Sequence, residues 1–171
     1  MRLYHFLRAL LAWLVPRLVR FRPEGLENIP AKGPFIIAAN HIHALDPIMI
    51  AIIAPQHVSF MAKEEVMHSR LLGWFVKHVG SFPVKRGKAD VQAIRQALGV
   101  LAAGNVLGIF PEGTRSKTGE VQAAFSGTAL LAGRADVPIV PVALCGKYRF
   151  GSVFRVKVGK PMRIASAIAG R

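Results

Sequence analysis

Short apolar runs that alternate with helix-like stretches constrain the fold of this chain more than any other feature of its sequence. From residue 33 onward, apolar segments of strand length are followed by turn residues and then by helical spacing of apolar side chains. This alternation is typical of a single α/β domain in which helices flank a mixed, partly parallel sheet. We predict strands at Phe35 to Ala39, Val58 to Ala62, Ser81 to Lys85, Val106 to Phe110, Ile139 to Leu144 and Val153 to Val158. We predict helices at Pro47 to Ala54, Leu71 to Val79, Ala89 to Ala103 and Gly127 to Arg134.

Two of these segments carry patterns that predict their surroundings. The longest helix has an apolar face that we expect to be buried, made of Val91, Ile94, Leu98 and Leu101. The apolar segment from Val137 to Val142 contains two prolines. Because proline cannot donate to a strand ladder, this segment is expected at an irregular or edge position close to a cavity.

The start of the chain has a pattern of its own. Apolar residues recur at near-helical spacing from Leu3 to Leu18, beside several arginines, which predicts an amphipathic helix. Its uncharged stretch, Ala9 to Pro16, is much shorter than the roughly 20 residues needed to span a bilayer, so we expect an interfacial helix. A helix packed on the domain core is the main alternative, and a signal peptide is a weaker one because no small-residue cleavage site follows. We therefore predict a helix at residues 1–20 and a domain at residues 21–171.

The net charge indicates which classes of molecule the chain binds, and the cysteine content excludes some kinds of site. Lys and Arg number 23 against 9 acidic residues, a formal net charge of +14, which attracts phospholipid, nucleic acid or a phosphorylated substrate. The single cysteine, Cys145, excludes an internal disulfide framework and a multi-cysteine zinc site, and is typical of a reducing compartment.

A loop with two histidines and a carboxylate follows the first predicted strand. It runs from Asn40 to Asp46 and is followed by Pro47, so Asp46 is expected to be a helix N-cap with proline in the first helical position. A carboxylate held there can bond one ring nitrogen of His41 and stabilise the imidazolium that forms when the other nitrogen takes a proton. We predict His41 as a general base and Asp46 as its orienting partner.

Two further loops carry cations. Phe110 to Ser116 combines a turn glycine, hydroxyls and Arg115, whose planar fork suits phosphate oxygens. A segment from Ser81 to Gly87 ends in two cations, and its Arg86 is expected to converge with Arg115 on one phosphate. Taken singly, an ordinary turn and a solvated surface are the better explanations of these two segments.

Together, four segments in this order resemble the glycerolipid acyltransferase family, most closely the 1-acylglycerol-3-phosphate acyltransferases. The similarity covers roughly residues 20 to 162. The family's Asn-His-x4-Asp block is represented by residues 40–46, and its Phe-Pro-Glu-Gly-Thr-Arg-Ser block is present without a substitution at residues 110–116. The block ending in an arginine matches residues 80–87, and Val-Pro-Ile-Val-Pro-Val spans residues 137–142.

The resemblance implies an O-acyltransferase that moves a fatty acyl group to 1-acylglycerol 3-phosphate and forms phosphatidic acid. His41 and Asp46 would be catalytic, and the residues implied for the acceptor and its phosphate are Arg86, Glu112, Gly113, Thr114 and Arg115. The resemblance implies acyl-CoA or acyl carrier protein as donor, a lysophospholipid acceptor, no metal and no cofactor. We expect the protein at the cytoplasmic face of the cell membrane, bound to an anionic surface.

Several alternatives stay open at this point. Glycerol 3-phosphate or another lysophospholipid is an alternative acceptor, and His43 is a rival base two residues from His41. A nucleic-acid-binding domain is the non-enzyme alternative, because basic and aromatic residues interleave from Lys147 to Lys160. Since Val153 to Val158 alternates apolar and cationic residues, we favour a strand with its cations outward. A serine hydrolase is disfavoured because no Gly-x-Ser-x-Gly elbow occurs.

Overall fold

Seven strands form one sheet in the part of the chain that the computed structural model describes, which is residues 2–67, 70, 73, 80–84 and 90–164. The strands are β1 Arg20–Glu24, β2 Phe35–Ala39, β3 Val58–Lys63, β4 Phe82–Val84, β5 Val106–Ile109, β6 Ile139–Gly146 and β7 Val153–Val158. Their order across the sheet is β1-β7-β6-β2-β5-β3-β4. Neighbours run parallel except β6 and β7, which are antiparallel. The predicted mixed, partly parallel sheet is confirmed.

Helices cover both faces of this sheet. They are α1 Arg2–Leu18, α2 Asp46–Ile53, α3 Glu64–Met67, α4 Val91–Ala102 and α5 Gly127–Ala135, with a 3-10 turn at Leu26–Asn28. The predicted helices at α2, α4 and α5 agree with the structure to within two residues. The helix predicted at Leu71 to Val79 falls, apart from Gly73, outside the described residues.

The core lies in two layers, one on each side of β2. Phe35 and Ile37 pack with α2 residues in one apolar cluster, whereas Ile36 packs with α4 and α5 residues in the other. All three side chains are fully buried because successive residues of a strand face opposite sides of a sheet that is covered on both.

Most of the apolar face predicted for α4 is confirmed, because Leu101 is buried in the core and Ile94 and Leu98 pack against it, while Val91 is exposed at the start of the helix. The fully buried positions also include two residues that were not predicted, Ala93 and Ala97. Small alanines let the helix approach the sheet closely, a preference that apolar periodicity alone does not reveal.

The edge position predicted as one alternative for the proline-containing segment was wrong, although the pairing of the segment on the β7 side is irregular. β6 lies inside the sheet, between β7 and β2. The N–H of Ile139 donates to the carbonyl of Met162, which belongs to the chain that leaves β7, and alternate residues of a strand point the same way. The nitrogen of Pro141 therefore faces that side, where pairing with β7 begins only at Val142, so no ladder hydrogen bond to β2 is lost.

β1 was not predicted as a strand. It lies at the sheet edge and, within the described part of the chain, pairs with β7 alone, in parallel. An edge position tolerates Pro23 and leaves most of its side chains exposed, so the segment has little apolar signal. Its partner β7 has the predicted alternation, with Phe154, Val156 and Val158 buried and the cations Arg155 and Lys157 exposed.

The N-terminal helix α1 has one covered side and one uncovered side. Tyr4 is buried, and Val15 packs against the core cluster. Phe6, Leu10 and Trp13 are exposed although they are large and apolar. In the described part of the chain, no helix has the length and apolar character required to cross a bilayer.

Candidate active site

Three strands bring the candidate residues to one edge of the sheet. β6, β2 and β5 are parallel neighbours, so their carboxyl ends lie side by side. His41 and Asp46 follow β2, Glu112 follows β5, and Tyr148 follows β6. A crevice at the carboxyl ends of parallel strands is the usual place for ligands in such sheets.

His41 and Asp46 form a close pair. The Nδ1 atom of His41 lies 2.8 Å from Oδ2 of Asp46, whose side chain is 0% exposed, while that of His41 is 12% exposed. Because a carboxylate only accepts hydrogen bonds, the neutral imidazole carries its proton on Nδ1. Nε2 has no hydrogen-bond partner among the described residues and is left as the basic nitrogen.

Asp46 does not cap its helix as the sequence predicted. Leu45 occupies the N-cap position, Asp46 is the first residue of α2, and Pro47 follows it. The carboxylate turns back into its own loop, where Oδ2 also accepts from the backbone N–H groups of Ile42 and His43, each at 2.7 Å. The loop backbone therefore closes around the carboxylate that holds His41.

Tyr148 completes the environment of Asp46 and was missed by sequence reasoning. Its hydroxyl donates to Oδ1 of Asp46 at 2.5 Å. Burial, followed by the hydrogen bond to Asp46 and the charge of that carboxylate, raises the pKa of Tyr148. The rule that functional residues follow strand ends would have found it, because it lies two residues beyond β6.

The ring of His41 is packed as well as hydrogen-bonded. It stacks on Phe110 with ring centroids 4.0 Å apart, and Phe110 stacks on Phe60 at 6.0 Å. Gly108 makes room for Phe60, since a Cβ atom there would lie 2.2 Å from the Phe60 ring. A glycine inside a strand therefore sets the position of the aromatic pair beneath the base.

Asn40 anchors the loop to the neighbouring strand. Its Nδ2 donates to the Leu144 carbonyl at 3.0 Å, and its Oδ1 accepts from the Leu144 N–H at 2.7 Å. The side-chain amide thus imitates a peptide group and continues the pairing of β2 with β6 past the end of β2. The first residue of the Asn-His-x4-Asp block is a positioning residue in this structure.

The Phe-Pro-Glu-Gly-Thr-Arg-Ser block at residues 110–116 is hydrogen-bonded to the backbone of His41. Ser116 donates its N–H to the His41 carbonyl at 2.7 Å, and the His41 N–H donates to Oε1 of Glu112 at 3.4 Å. Glu112 is buried, and its Oε2 has no hydrogen-bond partner among the described residues. Glu112 therefore touches the backbone of the base.

The other residues predicted to bind the acceptor are Gly113, Thr114, Arg115 and Arg86. Gly113 closes a turn with Phe110 and has a positive φ of 66°, whereas Thr114 and Arg115 are exposed beyond it. Arg86 lies outside the described residues, so its convergence with Arg115 stays a prediction.

The ring of His43 makes different contacts from the ring of His41. Its Nδ1 accepts from the Leu45 N–H at 3.2 Å, and its ring stacks on Tyr148 with centroids 4.5 Å apart. Among the described residues no carboxylate bonds its ring, so it lacks the partner that would stabilise an imidazolium.

An apolar cavity of about 280 Å³ lies beside Tyr148. Its walls come from α1, from α2 and from residues 148–150. Tyr148 belongs both to this wall and to the hydrogen bonds of Asp46. In the described residues, no cluster of three or more His, Cys, Asp and Glu side chains is arranged to hold a metal ion.

Known proteins match most of the chain. A family model described as Acyltransferase matches residues 20–145. A 1-acyl-sn-glycerol-3-phosphate acyltransferase of Bacillus subtilis is 32% identical over 145 residues, which is 81% of this chain and 72% of that protein. A lyso-ornithine lipid O-acyltransferase of Pseudomonas aeruginosa is 32% identical over 136 residues, which is 77% of this chain and 52% of that protein.

A solved structure has the same fold. The crystal structure of the 1-acyl-sn-glycerophosphate (LPA) acyltransferase PlsC from Thermotoga maritima superposes with a TM-score of 0.73 and 28% identity. The match covers 85% of this chain and 62% of that one. The chain thus spans less than two thirds of the length of this protein and of several curated relatives.

Proposed function

The chain belongs to the acyltransferase family, whose model covers residues 20–145, and from this premise we propose that it acylates the free hydroxyl of 1-acylglycerol 3-phosphate to give phosphatidic acid. The observation that carries the proposal is the hydrogen bond between Nδ1 of His41 and the buried carboxylate of Asp46. It leaves the other ring nitrogen to take a proton from a hydroxyl.

The proposed reaction is direct transfer. Nε2 of His41 removes the proton from the acceptor hydroxyl as its oxygen attacks the carbonyl carbon of an acyl thioester. The new C–O ester bond forms, the C–S bond breaks, and the imidazolium returns the proton to the departing thiolate. Asp46 stabilises the imidazolium between these two steps, and no covalent acyl-enzyme is needed.

The loop after β5 is proposed to select the acceptor. Arg115 and Thr114 are exposed on the same segment whose Ser116 bonds the backbone of His41. A guanidinium there offers a bidentate contact to a phosphate close to the base. We assign Arg86, Glu112 and Gly113 to the same acceptor region.

Binding at the cytoplasmic face of the cell membrane is part of the proposal. Phe6, Leu10 and Trp13 recur at spacings of four and three residues, so they share one helix side, and all three are exposed. Arg17 continues that side and lies over the Trp13 ring, 4.0 Å from its centroid. Apolar side chains with flanking cations and a net charge of +14 suit the interface of an anionic membrane.

We propose that the fatty acyl chain binds in the apolar cavity beside Tyr148. The side chains that line this cavity come from α1, α2 and residues 148–150 and are mostly apolar. Acyl-CoA and acyl carrier protein are both compatible with the positive surface.

A different acceptor is the second candidate. The Pseudomonas aeruginosa relative is named a lyso-ornithine lipid O-acyltransferase and is as similar in identity as the Bacillus subtilis one. An amino-acid-linked lysolipid is therefore the alternative acceptor for the same hydroxyl-acylating site.

The test is an acceptor panel. Purified protein in vesicles containing anionic lipid is given one labelled acyl thioester, first as acyl-CoA and then on acyl carrier protein. Lysophosphatidate, glycerol 3-phosphate, lysophosphatidylcholine and a lyso-ornithine lipid are offered separately. We expect labelled phosphatidic acid from lysophosphatidate at the highest kcat/KM. Preference for the lyso-ornithine lipid would replace the proposed acceptor, and transfer to none of them would refute the proposal.

Histidine variants in the same assay test the base. His41→Ala is expected to abolish transfer, because the hydroxyl loses its proton acceptor. His43→Ala is the matched control from the same loop and should retain most of the activity. Loss of activity in His43→Ala with retention in His41→Ala would reverse the assignment.

A further inference from the structure

The two carboxylate oxygens of Asp46 are bonded from different parts of the chain. Oδ2 accepts three hydrogen bonds, all from residues 41–43 in its own loop. Oδ1 has one donor among the described residues, the Tyr148 hydroxyl, which comes from 102 residues away. Both carboxylate oxygens are therefore hydrogen-bonded, and the bond to Oδ1 depends on a single hydroxyl.

The tyrosine that supplies this donor is itself held in place. Its ring stacks on His43 and packs at 4.4 Å on Phe154, a fully buried residue of β7. Its backbone lies in a turn that Ser152 closes, because the Ser152 hydroxyl donates to the Lys147 carbonyl and the Ser152 N–H donates to the Arg149 carbonyl. A side chain fixed in this way delivers its hydroxyl in one orientation.

We propose that Tyr148 is a positioning residue for acyl transfer, which acts on His41 through Asp46. The inference rests on the proposed function of the His41 and Asp46 pair. The Tyr148 hydroxyl prevents rotation of the carboxylate and takes up part of its negative charge, so it sets both the direction and the strength of the bond to His41.

The protonation state of Tyr148 agrees with this role. Burial and the adjacent carboxylate raise its pKa, so the phenol keeps its proton and donates throughout the working pH range. The other titratable groups that the described residues place around the pair are Glu112, from the loop after β5, and His43, from the loop after β2. Neither donates a side-chain hydrogen bond to Oδ1.

Removal of the Tyr148 hydroxyl should shift the pH dependence of kcat/KM in a defined direction. In Tyr148→Phe the carboxylate charge is less dispersed and binds the protonated imidazole more tightly, so the acid limb of the kcat/KM profile should move to higher pH. We expect kcat to fall about tenfold, in line with the loss of one hydrogen bond to a charged group, and KM for both substrates to stay within about twofold.

The chain offers a matched control. It contains two tyrosines, and the other, Tyr4, is also buried, with its hydroxyl accepting from the Val58 N–H at 3.3 Å. Tyr4→Phe removes the same atom from a position outside the pair and away from the exposed side of α1. Its kcat and pH profile should match those of the wild type, and an equal fall in both variants would reduce Tyr148 to a structural residue.

A double-mutant cycle tests the route through Asp46. If Tyr148 acts on that carboxylate, Tyr148→Phe should lower kcat by less than about twofold in an Asp46→Asn background. Full retention of the tenfold effect in that background would overturn the proposal.

Fluorotyrosine keeps the test valid if Tyr148→Phe fails to fold. Incorporated into Tyr4→Phe protein, 3-fluorotyrosine occupies position 148 alone and donates a stronger hydrogen bond from a side chain of almost unchanged shape. The acid limb should then move to lower pH, and an unmoved limb would overturn the proposal.

An NMR titration separates this inference from the proposed function. The His41 ring, assigned by comparison with His41→Ala, is titrated without substrate in the wild type and in Tyr148→Phe. A midpoint at higher pH in the variant supports the inference even if no tested lysolipid is acylated. An unchanged midpoint refutes it even if lysophosphatidate is the substrate.

Discussion

The loop after β2 and the loop after β5 meet at His41 but are built in opposite ways. In the first, residues 40–46, the Asn40 amide, the His41 ring and the Asp46 carboxylate are all hydrogen-bonded. In the second, every residue from 114 to 127 except Ser116 is exposed. Ser116 joins the two through its bond to the His41 carbonyl.

The tasks proposed for the two loops account for this difference. Proton transfer needs a base held to within a few tenths of an ångström, and a network of buried hydrogen bonds supplies that rigidity. Selection of an acceptor needs side chains that a lipid head group can reach from solvent or from a membrane surface. Four substitutions test this division, in order of decreasing expected effect.

Asp46→Asn should have the largest effect. An amide has one acceptor oxygen where the carboxylate has two, so the bonds from His41, two backbone N–H groups and Tyr148 compete for it. We expect kcat to fall about 10³-fold or more, as when a buried histidine partner is made neutral in other enzymes. Asp90→Asn is the control, because Asp90 caps α4 through the N–H groups of Gln92 and Ala93. A fall of less than about tenfold in Asp46→Asn would contradict the rigid role of the first loop.

Asn40→Ala should lower the free energy of unfolding by about 2 kcal/mol, because both backbone groups of Leu144 lose their side-chain partner. Chemical denaturation measures this change. Asn28→Ala removes one side-chain bond, to the Val158 carbonyl, and should cost about half as much. Equal costs for the two variants would mean that Asn40 does not tie the loop to β6.

Arg115→Ala tests the exposed loop. We expect KM for phosphorylated acceptors to rise about tenfold, the loss of one charge-assisted contact, with kcat for uncharged acceptors unchanged. Lys117→Ala removes a cation from the same exposed segment and should change KM little. Equal impairment on charged and uncharged acceptors would remove the phosphate-binding role from Arg115.

Gly113→Ala should have the smallest effect, a loss of stability of about 1 kcal/mol measured by denaturation, since its φ of 66° strains any L residue. A Cβ atom at Gly113 would also lie 3.0 Å from the exposed Phe125 ring, whereas at Gly119, with φ 84°, it would meet no atom within 4 Å. Gly119→Ala therefore carries the backbone strain alone. A smaller loss at Gly113 than at Gly119 would show that Phe125 does not rest on the turn.

Much of the fold was predictable because burial along one strand leaves a local trace. β2 and β7 were predicted with their observed bounds, since Phe35 to Ala39 is apolar on both faces and Val153 to Val158 alternates. β1 left little trace, because an exposed edge strand buries little. The edge position expected for the segment around Pro141 was wrong, because periodicity does not report on which side a neighbouring strand stops pairing.

The amino-acid sequence alone predicted the family, a proton-transfer role for the His41 and Asp46 pair, and the alternation of strands and helices, since each rests on short motifs or local patterns. Tertiary structure alone decided that Asp46 faces its own loop, that Asn40 bonds Leu144, and that Tyr148 supplies the donor to Oδ1. The last two bonds join residues more than 100 positions apart. Their partners are set by the order of β6, β2 and β5 in the sheet, which no local pattern in the sequence encodes.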